Sequence, residues 1–66
     1  MSYAEKESIE PGLIFKTQSG LVVKTTGRSV HVHSVDVNVH EVEIVEGPGK
    51  GNTFLCNLDY AQPVQG

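Results

Sequence analysis

The chain of 66 residues contains one cysteine, no tryptophan, one methionine and only four aromatic rings. A single thiol, Cys56, rules out an intramolecular disulfide, and no Cys-rich zinc pattern is available. Apolar runs are short. None approaches the core of a signal peptide or the roughly 20 residues that a bilayer-spanning helix needs, so a soluble, cytoplasmic protein without membrane contact is expected. No spacing in the chain calls for a cofactor.

Basic charge is also scarce, and it is unevenly placed. Through Arg28 the Lys and Arg residues leave a balance of +1, whereas from Ser29 onward Lys50 alone faces Asp36, Glu41, Glu43, Glu46 and Asp59, a balance of −4. Binding to phosphate backbones normally leaves a clustered basic footprint. An acidic second half therefore speaks against nucleic acid as a partner, although Lys16, Lys24 and Arg28 could form a modest basic strip.

What the chain does have is valine. Ser29 to Glu46 holds eight β-branched aliphatic residues and neither Gly nor Pro, the composition of strands buried on one face. The phase of alternation slips twice there. Val30 and Val32 share one phase, Val35, Val37 and Val39 the next, and Val42 and Ile44 return to the first. A strand cannot change phase without a turn or bulge. Two strands joined near Asp36 to Asn38 are therefore expected, with one long bulged strand as the competing reading. In either case His31, His33 and His40 alternate with core valines and fall on the solvent or subunit-interface face.

The remaining elements follow from punctuation. Residues 1–11 form an N-terminal arm or a helical turn, with Ser2 and Glu5 at capping-box spacing and Pro11 as a stop. Leu13 to Thr17 and Leu21 to Thr26 read as strands, and the glycines at 20 and 27 supply hairpin connections. Gly47-Pro48-Gly49-Lys50-Gly51-Asn52 is a loop. In the last strand Phe54, Cys56 and Leu58 share a face, and a turn of possible 3₁₀ character follows at Asp59–Val64. The fold class expected is all-β: a five-stranded small barrel or a strongly curled antiparallel sheet over residues 12–66. A domain this short buries only about 60% of its unfolded surface, so homo-oligomerisation is expected to supplement its core.

The Gly-bounded first pair of strands, the central meander and the ending L-D-Y-A-Q-P-V resemble the SH3-like small barrels, over roughly residues 11–64. That resemblance implies a 3₁₀ turn in the ending L-D-Y-A-Q-P-V. Two branches of the fold do not match. The KOW-type modules are basic with a Gly-centred hairpin, where the corresponding central stretch of this chain is acidic and free of Gly. The type II dihydrofolate reductases use a V-Q-I-Y segment that does not occur here.

Three groups carry candidate chemistry. His31 and His33, two apart on a strand, could hold a metal with His40, Asp36 or Glu41 completing the set. Gly47, Gly49, Lys50, Gly51 and Asn52 offer backbone N–H groups beside a lysine, which suits a small anionic ligand. Such a site is not a Walker A loop, because Gly51 follows Lys50 and a strand follows the loop. Cys56 has no pattern for an accompanying base, and Glu41, Glu43 and Glu46 read as a solvated face. The expectation is a non-enzymatic binding module, homo-oligomeric, of the kind used by phages or mobile elements to sequester a small ligand or inhibit a host protein. An enzyme whose site forms at a symmetric subunit interface is the alternative from another class, and a weak nucleic-acid-binding barrel is a third.

Overall fold

The computed structural model describes residues 3–64. It is an all-β domain whose five strands form one antiparallel sheet: β1 (Ile14–Lys16), β2 (Val22–Val32), β3 (Val37–Ile44), β4 (Thr53–Cys56) and β5 (Gln62–Pro63). The spatial order is β4-β3-β2-β1-β5. No pairing joins β4 to β5, so of the two expected architectures the sheet takes the curled, unclosed one. Two 3₁₀ turns complete it, η1 (Tyr3–Glu5) and η2 (Leu58–Tyr60). Ser2, the expected capping partner of Glu5, lies outside the described residues.

The long hairpin β2–β3 departs from the sequence reading in three ways. Gly27-Arg28 is not a hairpin connection; it sits inside one eleven-residue strand. Thr25 faces Val42 and Ser29 faces His40, so β2 spends extra residues over a step where β3 spends its usual two. A bulge absorbs them. Gly27 makes it possible with a φ of 94°, a conformation that costs a residue with a Cβ and not glycine. The turn itself falls at residues 33–36, ahead of the expected Asp36–Asn38, because Asp36 takes the left-handed conformation (φ 53°) that a short polar side chain tolerates. Asn38 already belongs to β3.

The third departure concerns which residues are inside. β3 runs unbroken from Val37 to Ile44, and the inward positions are Asn38, His40, Val42 and Ile44. The phase slip in the sequence therefore marks no break in β3; the valines simply change sides. Val30 pairs with Val39 and Val32 with Val37 on the face turned away from the core, while the inward face at that end of the hairpin is polar. The core is small: Phe15, Val23, Val42, Ile44 and Leu58 are buried, with Tyr3, Ile9, Leu13, Leu21, Phe54, Cys56 and Ala61 packed against them. Phe54 and Cys56 face inward together as expected, whereas Leu58 reaches the core from η2 and not from β4.

Candidate functional site

The two groups singled out in the sequence lie at opposite ends of β3. His31 and His33 sit at the turn end of the hairpin, and the Gly47–Asn52 loop leaves the other end of an eight-residue strand, on the order of 25 Å away at about 3.3 Å per residue. One subunit does not bring them together.

His31 and His33 are exposed, with ring centroids 4.7 Å apart in an edge-on contact. His31 is already engaged: Nδ1 lies 2.9 Å from the Asn38 amide oxygen and Nε2 3.2 Å from the Asp36 carboxylate. An amide oxygen only accepts, so Nδ1 carries the proton. His40 is fully buried, and both its ring nitrogens are engaged within the chain, by the Ser29 hydroxyl and the Tyr3 carbonyl. Among the described residues no group of three or more His, Cys, Asp or Glu is arranged to hold a metal ion.

In the Gly47–Asn52 loop three of the amides turn inward. Lys50 donates to the Gly47 carbonyl, Gly51 to that of Ile44 and Asn52 to that of Gly49, at 3.2, 2.8 and 2.9 Å. These three donors are thus committed within the chain rather than offered to an anion.

The polar inward face of the hairpin has a different occupant, the N-terminal segment. His40 Nε2 lies 3.0 Å from the Tyr3 carbonyl, which fixes Nε2 as the donor, while Nδ1 lies 2.6 Å from the Ser29 hydroxyl. Asn38 donates its amide to the Ala4 carbonyl at 3.0 Å. At the other end of η1 the Asp59 carboxylate accepts from the Tyr3 and Ala4 amides at 2.7 and 3.1 Å. Buried polar groups are costly unless paired, and here strand side chains and an arriving backbone pair with each other. The Tyr3 ring then meets Phe15 edge-on at 5.3 Å. This clasp is structural: of the two readings of residues 1–11, the helical turn is the one formed, at Tyr3–Glu5, while its strand partners Asn38 and His40 have no counterpart in the sequence pattern.

The accessible surface with recessed, chemically mixed lining lies where the β1–β2 connection, β4 and η2 meet. One hollow of about 450 Å³ is lined by residues including Gln18, Leu21, Phe54, Leu55 and Asn57. A second, of about 510 Å³, is lined by Lys16, Gly20, Asp59 and Gln62 among others. Thr17, Gln18, Tyr60 and Ala61 line both, and Tyr60, 66% exposed, forms the ridge between them. Asn57 builds that ridge by accepting the Asp59 amide at 3.0 Å with its side chain, starting the 3₁₀ turn. The only sequence signal for Tyr60 is that of an aromatic residue in a turn before Pro63. Burial pushes the Cys56 thiol at the back of the first hollow above its ordinary pKa, which suits packing and disfavours a nucleophile.

Compared with family models, with curated proteins and with solved structures, the chain matches none of them.

Proposed function

We propose that this chain is a non-enzymatic binding module that works as a homo-oligomer, and that its contact surface is the Tyr60 ridge with the hollow on either side. The observation that carries the reading is Tyr60 itself. A tyrosine held two-thirds exposed on a turn that is capped by Asn57 and anchored by buried Leu58 offers large amphipathic contact area at little entropic cost. Its surroundings are mainly amides, hydroxyls and apolar groups, and of the two charged residues, Lys16 and Asp59, the Asp59 carboxylate is engaged by the Tyr3 and Ala4 amides, which suits recognition of a peptide or small molecule better than acid–base chemistry. The strand order and the 3₁₀ turn at Leu58–Tyr60 support the SH3-like resemblance, and the acidic second half supports a protein or small ligand over nucleic acid. A cytoplasmic setting goes with this reading; among the described residues no helix is long and apolar enough to cross a membrane.

The test is an amide-shift survey of labelled protein against a library of short peptides and drug-like fragments. Weak binders should move Gln18, Ser19, Leu55, Tyr60 and Ala61 together, and Tyr60→Ala should abolish those shifts without altering the rest of the spectrum. Binders that cluster elsewhere, or shifts that survive Tyr60→Ala, would overturn the reading.

A further inference from the structure

We propose that two copies of this chain join through the free edge of β4, as an antiparallel β4–β4 pair about a twofold axis. The inference rests on the oligomeric part of the reading above and names its interface. It begins with the ladder. Ile44 donates to the Asn52 carbonyl at 2.9 Å, and in the same register Val42 faces Phe54 and His40 faces Cys56. Hydrogen-bonded pairs recur at every second residue of an antiparallel ladder. Phe54 and Cys56 therefore direct their backbone groups to β3, and Thr53 and Leu55 direct theirs outward.

An outward row of backbone donors and acceptors is a template for another strand unless it is guarded by charge, proline or a bulge. The two edges of this sheet differ in that respect. β5 has two residues, and one is Pro63, which has no N–H. Val64 donates inward to the Ile14 carbonyl at 2.9 Å, so the proline nitrogen takes the outward position. β4, by contrast, reads Thr-Phe-Leu-Cys, with no charge and no proline. A blocked β5 edge excludes head-to-tail growth through β4 and β5. What remains is the self-complementary pairing, which closes at two.

The side chains agree with this pairing. With Phe54 opposite its own copy, Thr53 faces Leu55 across the axis at both ends, and the four outward backbone groups on each chain find partners. Leu55, 48% exposed in one subunit, gains the threonine methyl as a neighbour. The acidic residues behind the edge are already compensated: Glu41 accepts from Thr26 at 2.8 Å and lies 4.0 Å from Arg28, and Glu43 stands opposite Lys24. Net negative charge therefore does not oppose the approach at this edge. Because β4 is only four residues long, the contact area is below that of a standard stable interface, and the association is concentration-dependent.

Light scattering after size exclusion, and amide exchange by NMR, should be measured from low micromolar to near-millimolar full-length protein. The mass should rise toward twice 7.1 kDa, with exchange at Thr53 and Leu55 slowing in parallel. Thr53→Lys, which keeps the backbone donor and puts a charged, strongly hydrated side chain on the edge, should remain a monomer. So should Leu55→Pro, which removes the outward N–H without touching the β3 ladder. A monomer at every concentration overturns both the interface and the oligomeric reading. A dimer that persists in folded Thr53→Lys, with Thr53 and Leu55 amides still exchanging fast, overturns the interface alone.

Discussion

Asp59 caps a backbone segment more than fifty positions away in the chain. A carboxylate accepting two amide protons performs there what an N-cap residue does locally, and removing such an acceptor costs about 0.5–2 kcal/mol. Asp59→Ala is therefore expected to lower the unfolding free energy by about 1 kcal/mol and to accelerate amide exchange at Tyr3 and Ala4. Unchanged exchange at those two amides would show that the clasp is held without Asp59, by His40, Asn38 and the Phe15 contact. Cys56 supports a second expectation. Burial raises its pKa, so the folded state disfavours the thiolate. The thiol's contribution to stability is thus complete below the unfolded pKa of about 8.5 and fades as pH rises through the folded value. At pH 8 a maleimide should label the folded protein more slowly than the urea-unfolded chain; equal rates would place the thiol in open solvent.

Among the elements, the β2–β3 hairpin shows how far composition reads structure and where it stops. Strand content, the Gly47–Asn52 loop, the 3₁₀ turn near Asp59 and the inward faces of Phe54 and Cys56 were legible, because each rests on local chemistry. The phase of Val30 to Val39 was not. Alternation tells which residues share a face, and only tertiary packing tells which face is the core. Here an N-terminal segment that needs its carbonyls paired claims the Asn38 and His40 side, so the valines face outward and pair across the strands. Gly27 is ambiguous in sequence for a related reason, since a glycine at positive φ serves a bulge as well as a turn. An added Cβ at Gly27 would meet the left-handed backbone penalty and a Pro11 carbon at 3.4 Å. Gly27→Ala should cost about 1–2 kcal/mol, read as a lower urea midpoint. A midpoint equal to wild type would mean that the bulge relaxes into a regular ladder.

At the scale of the whole molecule, five fully committed core side chains must hold together a domain whose long hairpin turns polar groups inward along half its length. Stabilities of about 0.05–0.15 kcal/mol per residue put the total for this chain at roughly 3–10 kcal/mol, and truncating a buried phenylalanine costs about 3–5 kcal/mol. Phe15 is the largest of the five, and besides Val23 across the ladder it holds the Tyr3 ring of the clasp. Phe15→Ala thus removes core volume and the apolar seat of the N-terminal segment together. The two losses are coupled and should not add with Asp59→Ala, because once Tyr3 loses its seat there is little left for Asp59 to fix. A double-mutant cycle by urea unfolding should accordingly give a combined loss smaller than the sum of the single losses. Strict additivity would mean that the clasp and the core are energetically separate, with the chain's N-terminal segment resting on a domain that does not need it.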